Sequence, residues 1–170
     1  MTARSPFQVH ATAVAVAADA DGPLAGVLLL GRTGAGKSAL ALSLIEGCPF
    51  RRTALIGDDQ VLIDSSGVAV GARALKGLIE VRGFGPAHVR AVDCSTLVLA
   101  ADLDLEAERV PTPLTREAAP GVAIPHYPFR WAGAEGTAAH RLRVIVRQVL
   151  CGQNGEEPQD AALEGVGKPA

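Results

Sequence analysis

The sequence predicts a single α/β domain in which helices flank a central, mixed β-sheet. Three observations lead there. Residues Gly31-Arg32-Thr33-Gly34-Ala35-Gly36-Lys37-Ser38 read G-x-x-x-x-G-K-S. The apolar run Val27-Leu28-Leu29-Leu30 precedes them, and Ala39-Leu40-Ala41-Leu42-Ser43-Leu44-Ile45, a stretch of good helix formers, follows. The chain has 170 residues, 48% of them hydrophobic, which suits one core of ordinary size. Strand, glycine-rich loop and helix in this order make a P-loop nucleotide-binding domain. Its glycines let successive backbone N–H groups converge on phosphate oxygens where a Cβ would obstruct them. The start of the helix adds positive potential. Lys37 then reaches the terminal phosphates, and the Ser38 hydroxyl ligates Mg²⁺. Gly31 to Ser38 is the expected binding segment for a nucleoside triphosphate.

Composition narrows the surroundings. A net charge of −2 argues against a nucleic-acid binder that relies on bulk basicity. No apolar stretch approaches the roughly 18 to 20 residues that span a bilayer, so no membrane role is expected. Met1 to Pro6 lacks the charged start and apolar centre of a signal peptide. Cys48, Cys94 and Cys151 are odd in number and show no C-x-x-C spacing, which suggests neither a disulfide framework nor a zinc site. The expected compartment is the cytoplasm.

The remaining elements follow from pattern. Gln8–Ala18 is β-rich, and Asp19-Ala20-Asp21-Gly22-Pro23 punctuates it as a hairpin turn before Val27–Leu30. The helix after the loop should stop near Gly47, with Pro49 beyond it. Thr53–Asp59 reads as a short strand ending in two carboxylates, continued by Val61–Ile63 and turned by Asp64–Gly67 into Val68–Val70. Further strands are expected at Leu78–Val81, Leu97–Ala101 and Val122–Ile124, and a closing helix at His140–Leu150. The catalytic domain is expected over residues 1–151. Residues 152–170, rich in Gly, Pro and acid, are expected to be a disordered tail.

Two further clusters carry chemistry. Asp58-Asp59 ends a strand one helix away from the phosphate loop. Adjacent residues on a strand point to opposite faces, so one side chain would face the metal or its water shell and the other the phosphoryl acceptor. Phosphoryl transfer needs both functions: charge neutralisation, and a group that takes the acceptor's proton. Glu80 and Arg82, in Glu80-Val81-Arg82-Gly83-Phe84-Gly85, fall on the same face of a short strand, an acid and a guanidinium suited to Mg²⁺ and phosphate. A surface salt bridge is the plainer reading of that pair taken alone.

Together with His10, these segments resemble the catalytic domain of the bacterial HPr kinase/phosphorylase family. That domain carries a strand histidine, a G-x-x-G-x-G-K-S loop, an A-D-D segment and an E-x-R-G-x-G signature, in this order. Here they match His10, Gly31–Ser38, Gly57-Asp58-Asp59 and Glu80–Gly85, over roughly residues 8 to 150. Leu55-Ile56-Gly57-Asp58-Asp59 also looks like a stretch of ATP-dependent phosphoenolpyruvate carboxykinase, a much longer enzyme with a related nucleotide-binding core. The resemblance implies ATP and Mg²⁺ as cofactors and transfer to a serine of HPr or an HPr-like carrier of the phosphotransferase system. It implies a homo-oligomer, since the family tends to hexamers, and the truncated proteobacterial form without the N-terminal regulatory domain. Lys37 would hold the β- and γ-phosphates, with Arg82 beside them. Ser38 and Glu80 would bind Mg²⁺, with Asp58 in contact. Asp59 would be the base, His10 the family's active-site histidine, and Arg109 a phosphate contact.

The chain departs from the family in two places. Pro86-Ala87-His88 replaces the usual apolar continuation after Gly85. The late Gly-Arg-Asn segment tied to dephosphorylation has no counterpart in Trp131–Arg143, so kinase activity carries over better than phosphorylase activity. Two other classes fit the loop. A small-molecule P-loop phosphotransferase or NTPase would use Asp102, at the end of Leu97–Ala101, as its metal acid, but leaves Asp58-Asp59 and Glu80-Val81-Arg82 unexplained. A non-catalytic ATP-binding regulator would have no need of Asp59.

Overall fold

The computed structural model describes residues 5–112 and 114–154. The expected tail lies outside them from residue 155 onward. In chain order the strands are β1 (Phe7–Val9), β2 (Thr12–Ala17) and β3 (Leu24–Leu30), followed by helix α1 (Lys37–Glu46). Then come β4 (Ala54–Gly57), β5 (Val61–Ile63), β6 (Val68–Gly71), β7 (Leu78–Val81) and β8 (Gly85–His88). The chain closes with β9 (Cys94–Asp102), β10 (Leu114–Ala119), β11 (Val122–Pro128) and helix α2 (Glu135–Asn154).

The main sheet runs β1-β5-β6-β9-β3-β2-β4, with β11 and then β10 added alongside the second half of β9. It is mixed and mostly antiparallel. Among the described strands, β3–β9 and β9–β11 are the parallel pairs. β7 and β8 form a separate hairpin. The expected hairpin between β2 and β3 is present, in register from Thr12–Leu29 to Ala17–Leu24.

Alternation along the central strands builds two cores. Val14, Val16, Val27, Leu29 and Leu99 point to one face, where Leu40 and Leu44 of α1 and Leu142 and Val146 of α2 cover them. Both helices therefore lie on the same side. Ala13, Ala15, Leu28 and Ala100 point to the other, where Val61, Ile63 and Ile124 close over them without a helix. The small alanines let the sheet curl tightly there. β4 swings round until its end touches β6, backbone to backbone. A Cβ at Gly71 would overlap the Ile56 carbonyl oxygen, and one at Gly57 would lie 3.0 Å from the Gly71 Cα.

Two arginines fasten α2. Arg143, buried, donates to the Ala17 and Leu44 carbonyls at 3.2 and 3.1 Å, and Arg147 donates to Ala18 at 3.0 Å. Leu44 lies in the last turn of α1, where carbonyls lack helical donors and the dipole favours a cation.

Several boundaries differ from the expectation, each for a physical reason. The Gln8–Ala18 run breaks into β1 and β2 at His10 and Ala11. Val61–Ile63 does not continue the preceding strand. The chain turns at Asp58–Gln60, with Asp59 in the left-handed region at φ 63°, and β5 pairs with β1 and β6 instead. β8 and β10 were not expected, because Gly85-Pro86 and Thr115-Arg116-Glu117 read as loop. Both are edge strands, which tolerate proline and charge. Helix α2 extends past both expected ends, to Glu135 and Asn154. No described helix is long and apolar enough to cross a membrane.

The Gly71 contact gives the first prediction. A Gly71→Ala chain must separate β4 from β6, because backbone cannot yield as a flexible side chain does. The expected loss is about 3 kcal/mol of unfolding free energy, the upper range for overpacking, measured by urea denaturation. A loss below about 0.5 kcal/mol would show that the curl does not depend on this contact.

Candidate active site

β3, β9 and β11 are parallel, so their carboxyl ends meet on one edge, where open α/β sheets bind ligands. Three loops leave from there. The loop after β3 is the glycine-rich segment, and it turns into α1 at Gly36, whose φ of 102° only glycine adopts without strain. The loop after β9 supplies Asp104, whose carboxylate accepts the Arg32 amide at 2.5 Å. The loop after β11 supplies Trp131, whose indole packs on Gly36.

A cleft of about 510 Å³ opens over this edge. Thr33, Gly34, Gly36, Lys37 and Ser38 line it from the phosphate loop, Ala39 and Leu42 from α1, and Trp131 from the loop after β11. Asp59 joins from the turn after β4, and Glu80, Val81 and Arg82 from the β7–β8 hairpin. The segments that sequence reading singled out thus converge on one cavity. Gly31, Arg32 and Ala35 belong to the same loop but do not line the cleft.

Lys37 is 5% exposed, and its ammonium donates to the Gly31 and Arg32 carbonyls at 2.7 and 3.0 Å. It has no carboxylate partner among the described residues. A buried cation held only by neutral oxygens is a strong attractor for an anion entering the cleft.

Asp58 joins three elements. Its carboxylate accepts the Thr12 hydroxyl of β2 at 2.6 Å and the Ser38 hydroxyl of α1 through both oxygens at 3.0 Å. The division of Asp58 from Asp59 was expected from a strand pleat, and that reason is wrong, because the pair occupies a turn. The left-handed backbone at Asp59 does the separating: Asp58 binds Ser38, while Asp59 lines the cleft. Aspartate tolerates that conformation better than most residues.

His10 does not line the cleft. Its Nδ1 lies 3.1 Å from the Asp59 carbonyl oxygen, so it touches the turn that presents Asp59. Arg82 stands one residue past β7, not on the strand, yet lines the cleft with Glu80. Those two form no ion pair with each other among the described residues. Arg109 stands exposed on the β9–β10 connection, away from the cleft lining. Asp102 lies just behind the edge, 3.2 Å from His126 Nε2, with both side chains largely buried. Sequence reading missed Thr12, Asp104 and the contact of Trp131, which only the sheet topology brings to the loop.

No family model matches the chain. Curated relatives do. An HPr kinase/phosphorylase of Prosthecochloris aestuarii is 38% identical over 71 residues, 39% of this chain and 20% of its own length. That of Leptothrix cholodnii is 43% identical over 77 residues, 43% of this chain and 22% of its own length. Over this stretch the chain is similar to HPr kinase/phosphorylase. The match spans about a fifth of the length of these relatives. In structure, the Hpr(Ser) kinase/phosphatase from Coxiella burnetii superposes with a TM-score of 0.67 at 21% identity, covering 88% of this chain and 93% of that one. The likeness to that HPr kinase is one of fold, and it fits the mixed sheet with two helices described above.

The environment of Lys37 yields a prediction at this site. Lys37→Ala should weaken Mg-ATP binding about 10- to 100-fold by calorimetry, the range for losing a charged hydrogen-bonding partner. Its circular dichroism should remain native, since the ammonium contacts only loop carbonyls. Unchanged affinity would place the phosphates elsewhere.

Proposed function

We propose that the chain is an ATP- and Mg²⁺-dependent protein-serine kinase, with HPr or an HPr-like phosphocarrier protein as its substrate. One observation carries the reading. The Ser38 hydroxyl of a phosphate loop is held by both oxygens of Asp58, while the neighbouring Asp59 lines the cleft beside Lys37. Binding alone calls for the loop and the lysine. A second carboxylate at the cleft suits a group that must accept a proton.

The donor set fits Mg²⁺. Ser38 and Asp58 would hold it, with Glu80 facing the same cleft. Few protein oxygens are needed, because magnesium keeps waters and phosphate oxygens in its shell. Bound there, it supplies neutralisation of charge on the transferring phosphoryl group. Lys37 and the loop amides bind and orient the triphosphate. Arg82 adds a guanidinium to the cleft lining. Asp59 takes the proton from the acceptor serine as its oxygen attacks the γ-phosphorus. The bond to the β,γ-bridging oxygen breaks, and ADP leaves. His10, against the Asp59 carbonyl, would hold the turn in position.

A small-molecule P-loop phosphotransferase has less support. The acid it would use, Asp102, is bonded to His126 behind the cleft. The test is incubation with radiolabelled ATP, Mg²⁺ and HPr from the same organism. Label on an HPr serine is expected. A labelled small molecule with unlabelled HPr would favour the alternative, and nucleotide binding without any transfer would favour a regulator.

The turn at Asp59 sharpens a second test. Asparagine tolerates the left-handed region as aspartate does, so Asp59→Asn removes the base without straining the backbone. It should bind Mg-ATP with near-native affinity and transfer phosphate at least about 10²-fold more slowly in single-turnover kinetics. Asp58→Asn should instead raise the Mg²⁺ concentration needed for activity. Parallel loss of binding and transfer in both would make the pair a metal site without a base.

A further inference from the structure

Trp131 meets the phosphate loop with the face of its pyrrole ring. A Cβ on residue 36 would fall on Nε1 and Cδ1 of the indole, so the pyrrole side, not the benzo ring, lies against the Gly36 backbone. The same side chain lines the cleft with Thr33, Gly34 and Lys37. No buried side-chain nitrogen lacks a partner among the described residues, and no described residue accepts from this N–H, so it is open to solvent.

The indole is held, not draped. Phe129 donates its amide to the Asp102 carbonyl at 2.8 Å and is 2% exposed. Arg141 lies over the Phe129 ring at 4.8 Å and donates to the Arg130 carbonyl at 2.6 Å. The Ala134 amide donates to the Trp131 carbonyl at 2.9 Å. A side chain fixed from both flanks, with a spare donor in the lining of the cleft, is pre-organised for an acceptor.

We propose that Trp131 is a phosphate-binding residue, its Nε1–H donating to an oxygen of the bound triphosphate beside the loop amides. This rests on the reading of the cleft as a triphosphate site. Indole is a donor only, so the oxygens of an anion suit it. The donor comes from the loop after β11, so β11 as well as β3 contributes to binding.

Trp131 is the only tryptophan in the chain, so its emission reports on this site alone. Wild type, Trp131→Phe and Trp131→Ala are titrated calorimetrically with Mg-ATP and with magnesium tripolyphosphate, after circular dichroism has shown each to be folded. Phenylalanine keeps the ring and removes the donor, and it decides the matter if the alanine chain does not fold. Trp131→Phe should weaken both ligands about tenfold, as loss of one hydrogen bond to a charged group does. Equal affinity in Trp131→Phe overturns the proposal. So does loss of Mg-ATP with tripolyphosphate retained in Trp131→Ala, which would make the indole a base platform. Tighter binding by either variant also overturns it and marks the indole as an obstruction. If wild type binds neither ligand, the triphosphate reading of the cleft falls with it; the other outcomes leave that reading intact.

Discussion

The carboxylate of Asp58 is the point on which the site depends. It joins β2 through Thr12, the start of α1 through Ser38, and the end of β4 through its own backbone. These elements come together because β4 pairs antiparallel with β2, Gly57 opposite Ala13, which sets Asp58 beside Thr12. On the helix-free face the end of β4 also meets β6, with glycine at 57 and 71 where the backbones touch and alanine at 13, 15 and 100 on the inner face.

How much of this was legible depends on how local each part is. The phosphate loop was legible because its strand, glycines and helix are contiguous, and each residue type has its own reason there. Asp58-Asp59 and Glu80-Val81-Arg82 were legible as chemistry, since the spacing of acids and guanidinium needs no fold to be noticed. Their geometry was not. A left-handed residue leaves no mark on a sequence when it is an aspartate, so the turn at Asp59 passed for strand. Asp104 and Trp131 were invisible as site residues because parallel pairing across β3, β9 and β11 brings them to the loop from distant segments, and Thr12 because antiparallel pairing of β2 with β4 sets it beside Asp58. The Arg143 clamp is equally silent, since its acceptors are carbonyls on two other elements.

The resting electrostatics of the cleft follow from what its cation touches. Lys37 is satisfied by two backbone carbonyls of its own loop, contacts that cost little to give up because carbonyl oxygens can turn to water. Arg143 shows the contrasting arrangement. Its carbonyl partners lie at the ends of β2 and α1, and it does not line the cleft. Among the described residues both are buried cations without a carboxylate partner, and of the two it is Lys37 that faces the cleft. Burial alone does not mark a functional charge. A buried charge with replaceable partners and an open side does.

The phosphate loop is also braced from outside itself. Asp104 holds the Arg32 amide and Trp131 covers Gly36, so the loops following β9 and β11 each fix one end of the glycine-rich segment. Glycines that allow backbone amides to converge would otherwise leave the loop free to open, and every amide ordered at the moment of binding reduces affinity. Two neighbouring strand ends supply that order beforehand. The pairing of β4 with β2 brings the carboxylates to the loop, and the parallel strands hold the loop in shape to meet them. Neither half would assemble the cleft alone, because Asp58 needs Ser38 in place and Ser38 needs the loop before it fixed.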